Sequence, residues 1–293
     1  MNGAVLIDKP QALTSHDVVN RWRRLANTKR VGHLGTLDPM ATGLLVLVTG
    51  TATRLAQFFG AREKTYLAEI TLGLVSDSYD ADGEVRATGI TPPSDPAEII
   101  TALKCFLGRF SQIPPAISAK KIKGIPAYKL ARKHVPVELQ PVEVEVTKLE
   151  ARMLAPDRVE MEVTCSAGTY VRGLAHDLGE RLGCGAVLTK LRRTRSGEFT
   201  VDQARTLEQL AELTEAGRLH EAVIGSGELL AEIPAEHFNL AVEAQIRQGR
   251  DFRTSPFVVR PGAPLVRALS HSGELIAIGQ LKIPNLYHPS TVL

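Results

Sequence analysis

Two stretches of strict alternation, Val142-Glu-Val-Glu-Val146 and Val159-Glu-Met-Glu-Val163, limit the folds open to this chain more than any other feature. Successive side chains of a strand point to opposite faces, so the pattern buries one face and wets the other. That is the habit of antiparallel sheets, whereas parallel strands are covered on both faces and read as near-continuous apolar runs. Further strands are expected at Gly3–Ile7, stopped by Asp8-Lys9-Pro10, at 44–48 and at Thr65–Leu72. Helical periodicity runs through Val18, Val19, Trp22 and Leu25, with N-cap candidates in Thr14-Ser15-His16-Asp17. Further helices are expected at Thr51–Phe58, at Pro96–Leu107 behind Asp95 as cap, and at Thr169–Leu182, where Gly183 would end it. The mixture points to an α+β domain with a mixed, largely antiparallel central sheet flanked by helices.

Beyond about residue 230 the texture changes. Short apolar runs separated by Gly and Pro (Pro256–Arg260, Leu265–Ala268, Leu275–Ile278) suggest a small β-rich unit beginning near Pro234. The expected division is therefore 1–233 and 234–293. The apolar run Gly43-Leu-Leu-Val-Leu-Val48 falls far short of the ~20 residues that span a bilayer, and the first residues lack the basic region of a secretory signal. The three cysteines, Cys105, Cys165 and Cys184, form neither a CxxC pair nor an even set. These features are those of a reduced, cytoplasmic chain with no membrane segment, disulfide framework or structural zinc.

Net charge is only +3, but it is unevenly placed. Between Lys104 and His134 lie eight Lys and Arg residues and no acid, while 66–102 holds one basic and seven acidic residues. Segregation of this kind suits one face meeting a polyanion, and equally a solvated basic loop.

The segment 32–43, Gly-His-Leu-Gly-Thr-Leu-Asp-Pro-Met-Ala-Thr-Gly, displays one carboxylate on a glycine-rich loop leading into the apolar strand. Asp38 so held suits a nucleophile or a general base, although a lone Asp-Pro is more often an Asx-turn cap. The loop lacks the Gly-Lys-Ser/Thr ending of a phosphate-cradling loop, its glycine spacing is not the dinucleotide fingerprint, and no nucleophile elbow or metal-spaced His pair occurs. Neither cofactor nor metal is expected.

The run Gly32–Leu45 resembles the signature of the bacterial tRNA pseudouridine-55 synthases, the tRNA pseudouridine synthase B type. Six further segments are similar to the family in its order. They are Lys9-Pro10, Lys64-Thr-Tyr66, Asp80-Ala-Asp-Gly83, Pro114–Lys121 with Gly124 and Tyr128 beyond, Gly168–Leu174 with Asp177-Leu-Gly179, and Leu191-Arg192-Arg193. Together they span residues 5–200. Leu34 and Met40 depart from the family pattern, and the C-terminal region resembles the family's PUA-like RNA-binding domain only weakly.

The resemblance implies a pseudouridine synthase fold and isomerisation of uridine 55 in the tRNA T-loop. It makes Asp38 the catalytic carboxylate, acting by attack on C1′ or by abstraction of the 2′ proton. Arg172 would pair with Asp38, Tyr66 would stack on the base and relay a proton, Tyr170 would support the site and Leu191 would wall the base pocket. His33 would stack within the flipped T-loop nucleotides, and Lys9, Asp80, Lys120 and Lys121 would join the substrate contacts. Taken singly, each has a plainer reading: an exposed helix Arg, core aromatics, a core Leu, a loop His. The partner implied is tRNA, through its T-loop and T-arm, with a monomer acting without guide RNA or protein partner. A guide-RNA-dependent synthase shares the Asp motif, but the modest length and absence of basic tails favour the stand-alone form. An RNA-folding protein with an incidental site is a second alternative, and an unrelated Asp-dependent hydrolase a remote third.

Overall fold

The computed structural model describes residues 1–117 and 139–293, together with the backbone of 121–122 and 125–126. In chain order the main elements are β1 Gly3–Lys9, α1 Ser15–Leu25, β2 Val31–His33, β3 Thr42–Thr49, β4 Lys64–Leu72, α2 Pro96–Lys104, β5 Gly108–Gln112, β6 Val142–Ala155, β7 Arg158–Cys165, α3 Val171–Leu182, β8 Ala186–Ser196, β9 Phe199–Thr200, α4 Leu207–Glu215 and β10 Ile224–Gly225. A second group follows: β11 Ala235–His237, α5 Leu240–Arg247, β12 Phe252–Arg253, β13 Leu265–Leu269, β14 Leu275–Ile283 and β15 Leu286–Val292.

The first group builds a ten-stranded sheet in the order β10-β1-β3-β8-β4-β7-β6-β5, with β9 beside β8 and β2 beside β3. Every pairing is antiparallel except β3 with β8, where Thr42 faces Arg192 and Gly43 faces Arg193. At this junction a side chain on Gly43, whose φ is +93°, would run into the Arg193 backbone. The absence of a Cβ therefore lets the two strands meet.

Alternation explains which faces are covered. In β6 and β7, Val144, Val146, Val159, Met161 and Val163 are buried while the intervening glutamates reach solvent, as the pattern predicts. In β1 and β3 both faces are buried. Val5, Ile7, Leu45 and Leu47 pack against α1, α3 and α4 through Trp22, Leu174 and Leu210. Ala4, Leu6, Leu44, Val46 and Val48 pack against Phe59, Phe199, Leu229, Leu269, Leu275 and Ile278. The continuous apolar run 43–48 is thus a strand sandwiched between helices on one side and the C-terminal group on the other.

The C-terminal group forms a five-stranded sheet, β11-β13-β14-β15-β12, with its own core of Phe238, Ile246, Phe252, Val266, Ile276 and Tyr287. Arg267 on β13 is buried, and its guanidinium donates to the carbonyls of Ile233, Gly227 and Leu229. Those three acceptors lie on the segment joining the two sheets, which is thereby fastened to the smaller one. No helix among the described residues is long and apolar enough to cross a membrane.

Several elements depart from expectation. β1 continues to Lys9 and β3 starts at Thr42, because their ladder pairs Lys9 with Gly43. The first residues of the expected loop, Gly32 and His33, belong to β2 on the flank of β3. Thr51–Phe58 is a 3-10 turn, Gly50–Leu55, followed by one α turn, Ala56–Phe59. There the Thr53 hydroxyl bonds the Gly50 carbonyl, and the β-branched Thr51 and Thr53 favour helix weakly. α2 stops at Lys104, and the i→i−3 bonds of Phe106 and Leu107 tighten the chain into Gly108 at φ +93°. Pro256–Arg260 is a turn closed on the Ser255 carbonyl, leaving Phe257 exposed.

Replacing Arg267 by Met removes all three donors while keeping the apolar volume. The expected cost is about 3 kcal/mol of stability, with faster proteolysis between 226 and 234. Denaturant unfolding and peptide mapping read both, and unchanged cleavage kinetics would exclude Arg267 as the fastening.

Candidate functional site

Asp38 sits midway along a loop, 34–41, anchored from three directions. The buried Ser15, first residue of α1, fixes Leu37 twice: its hydroxyl accepts from the Leu37 N–H at 2.8 Å and donates to the Leu37 carbonyl at 3.0 Å. The helix start is itself set by a capping box between Thr14 and Asp17. On the far side of Asp38, the Pro39 carbonyl accepts from the Ala12 N–H at 2.9 Å and from Lys9 Nζ at 3.3 Å. From β8, Arg193 donates to the carbonyls of Gly35, Thr36 and Leu44. The loop leaves its carboxylate little freedom.

Arg172, in the first turn of α3, receives that carboxylate. Its Nε lies 3.0 Å from Asp38 Oδ2 and its Nη1 lies 3.2 Å from Asp80 Oδ2. Nη1 also donates to the Ser78 carbonyl and Nη2 to the Ile117 carbonyl, both at 3.0 Å. The side chains of Arg172 and Asp80 are each only 5% exposed, against 35% for Asp38. The guanidinium is therefore a buried hub joining three separate segments, with only the Asp38 end open. Burial pushes the Asp38 carboxyl above its usual 3.8, Arg172 opposes that shift, and the negative charge of Asp80 adds to it.

A cavity of about 450 Å³ opens in front of Asp38. Its wall takes Gly35 to Asp38 from the loop, Lys64 and Tyr66 from β4, Gly168 to Arg172 at the head of α3, Leu191 and Arg193 from β8, and Pro114 and Val142. Tyr66 and Leu191, each 8% exposed, belong to the core and to the cavity wall at once. Burial raises the Tyr66 phenol and the adjacent Arg193 guanidinium pulls it back. Tyr170 is the N-cap residue of α3, and its backbone N–H and carbonyl are both bonded by the buried Gln112 side chain at 2.8 and 3.0 Å. Of the residues expected at the site, Asp38, Tyr66, Tyr170, Arg172 and Leu191 thus share one cavity.

Others do not line it. Lys9 is fully buried, and its ammonium donates to the carbonyls of Pro10, Leu13 and Pro39. Desolvation lowers it to about 8. It is a clamp under the Asp38 loop, where a substrate contact was expected. Asp80 stands behind Arg172, its Oδ1 accepting from Ser78 Oγ at 2.6 Å and from the Asp82 N–H. Asp38 is therefore not the only acid on Arg172. His33 is half-buried on β2, away from the cavity wall, and its Nδ1 has no partner among the described residues. Lys120 lies outside the described residues, as do Lys123, Gly124, Tyr128, Lys129, Arg132 and Lys133 of the basic segment. Of Lys121 only the backbone is described, paired with Pro126.

Four residues that carry the site were given no role in it from the sequence: Ser15, Lys64 and Arg193, which lay inside segments singled out for other reasons, and Gln112, which lay in none. Arg193 left a trace, since it follows Leu191 by two positions on one strand and so shares its inward face. No group of three or more His, Cys, Asp or Glu side chains suited to a metal occurs among the described residues.

Comparison with known proteins identifies the family. Residues 23–171 match the model of the TruB family pseudouridylate synthase N-terminal domain, and 172–230 match the tRNA pseudouridylate synthase B C-terminal domain. The seam between the two falls at Arg172, inside the site. A tRNA pseudouridine synthase B of Solibacter usitatus is 49% identical over 293 residues, covering 100% of both chains. That of Geobacter sulfurreducens is 42% identical over 249 residues, 85% of this chain and 82% of its own. Among solved structures, a chain in a Cbf5-Nop10-Gar1 complex superposes with a TM-score of 0.70 at 27% identity, covering 97% of this chain and 79% of that one. The family models and the full-length relative together show that the chain belongs to the TruB family of pseudouridylate synthases.

Proposed function

We propose that this chain is a tRNA pseudouridine-55 synthase, isomerising the T-loop uridine of tRNA without guide RNA, cofactor or metal. The observation that carries the reading is the Asp38–Arg172 pair, open on one side to a cavity walled by Tyr66, Tyr170 and Leu191. The full-length relation to tRNA pseudouridine synthase B supports tRNA as substrate. The chain solved in a Cbf5-Nop10-Gar1 complex, with protein partners, is a more distant relation, at 27% identity.

The chemistry follows from the placement of charge. A target uridine inside a folded loop must leave its stack, at a cost of a few kcal/mol, to enter the cavity. Tyr66 and Leu191 offer apolar surface to the flipped base. Asp38, ionised and aimed by Arg172, acts on the sugar, either attacking C1′ or removing the 2′ proton, and the C1′–N1 bond breaks. The uracil then turns and rejoins through C5, and in this reading the Tyr66 phenol relays the C5 proton. Breaking one buried partner of such a cluster typically costs about 3–5 kcal/mol, which explains why Asp80 backs the Arg172 hub.

In this reading residues 1–233 form the catalytic part and 234–293 a PUA-like RNA-binding unit, the whole working as a cytoplasmic monomer. The packing of Leu269, Leu275 and Ile278 against β1 and β3 would hold the two parts in fixed relation, giving tRNA a continuous surface.

Asp38→Asn keeps the shape of the side chain and removes its charge. It is expected to cut pseudouridine formation by about ten-thousandfold while tRNA affinity stays within a few-fold. A variant retaining wild-type turnover would remove Asp38 from the mechanism. The pH profile supplies a second check. Asp38 acts as a carboxylate and its pKa is raised, so kcat/KM should fall with decreasing pH along a limb centred above 3.8. A limb at or below that value would contradict the role of burial at this carboxyl.

A further inference from the structure

The cavity carries charge that the Asp38–Arg172 pair does not use. Arg193 is only 2% exposed and Lys64 only 8%, both line the cavity, and neither makes an ion pair among the described residues. Arg193 is satisfied by neutral oxygens of Gly35, Thr36 and Leu44, and Lys64 Nζ by the Arg62 carbonyl at 2.8 Å. The two cations converge: a methyl group on Gly35 would come within 3.3 Å of both Arg193 Nη1 and Lys64 Cε. Arg172, by contrast, has two carboxylates. Burying two like charges side by side is costly unless an anion joins them. The site is thus polarised, with its acids gathered at Arg172 and unmatched positive charge at the Arg193 end.

We propose that Arg193 and Lys64 are catalytic residues that stabilise the negative charge of the detached uracil ring. The inference rests on the pseudouridine synthase reading above. When the C1′–N1 bond breaks, its electron pair leaves on N1 and spreads to the ring oxygens O2 and O4. C1′ meanwhile gains a bond to an Asp38 oxygen, or the 2′ proton passes to Asp38 as C1′ and C2′ become doubly bonded. On return C5 bonds to C1′, the Asp38 oxygen departs or the 2′ proton is given back, C5 loses its proton and N1 gains one. The sum is an isomerisation, and both routes pass through a uracil that is negatively charged and unattached. Fixed positive charge on groups that are themselves buried favours that species over the neutral nucleoside. A phosphate of the RNA is the less suitable anion. Arg193 lies on the inner wall with Tyr66 and Leu191, where the base goes, and phosphates stay with the strand outside.

The test compares leaving groups. Unmodified tRNA transcripts carry either uridine or 5-fluorouridine at the target position, the latter releasing the more stable ring anion. Single-turnover glycosidic cleavage is measured at saturating RNA for wild type, Arg193→Lys, Arg193→Met and Lys64→Met. Arg193→Met should slow cleavage of the uridine substrate by about 100-fold and of the fluorinated one by about tenfold, with Arg193→Lys recovering part of the loss. Lys64→Met should show the same ordering with smaller losses, and it leaves the Arg193 bonds to the loop in place. Equal losses on both substrates for both variants would reduce the pair to scaffolding and overturn the proposal. Weakened RNA affinity, with a salt slope reduced by about 1 and an unchanged cleavage rate, would assign the cations to a phosphate and overturn it equally. Wild type that forms no pseudouridine would instead defeat the reading on which the proposal rests.

Discussion

The ion pairs of Arg172 with Asp38 and Asp80 are the constraint on which the site depends. They tie the head of α3 to two loops distant in sequence, and their hydrogen bonds to Ser78 and Ile117 leave the guanidinium one geometry. An Arg with fewer partners would be a poor guide for a carboxylate, because a flexible ion pair in water contributes little. Here burial makes the pairing mandatory and the second acid makes it rigid. The same burial raises the pKa of Asp38, so the site accepts a cost in ionisation in return for direction.

Everything beneath Asp38 maintains that arrangement. Ser15, Lys9 and Arg193 each hold backbone oxygens of the loop, and each is buried. Lys9 is a cation enclosed by carbonyls, which explains how a lysine can sit fully inside the fold at all. The loop enters β3 at its parallel junction with β8, where Gly43 meets Arg193, and β3 is buried on both faces. A carboxylate carried just ahead of such a strand inherits the rigidity of the whole core.

The large features of this fold were legible because they follow from periodicity. Alternation at 142–146 and 159–163 marked the antiparallel hairpin, and the apolar run at 43–48 marked a buried strand. Helix α1 announced its cap through Thr14 and Asp17. What misled were positions whose chemistry depends on distant neighbours. Lys9 has the composition of a surface contact, and only the carbonyls of Leu13 and Pro39 turn it into an internal clamp. Asp80 looks like a turn acid until Arg172, 92 positions later, is brought against it. Arg193 reads as one of a pair of strand arginines, although Arg192 points outward to Asp8 and Arg193 inward to the cavity. The cavity residues became legible as a set through the family resemblance, since no local pattern links Tyr66 to Tyr170 or Leu191.

The central claim is that this chain alone places a single tRNA uridine in front of Asp38. Mapping pseudouridine along an unmodified tRNA transcript after incubation with the purified protein, and no other factor, tests it most directly. The account predicts one modified residue, at position 55 of the T-loop. Modification at another position, or none until a guide RNA or second protein is added, would contradict it.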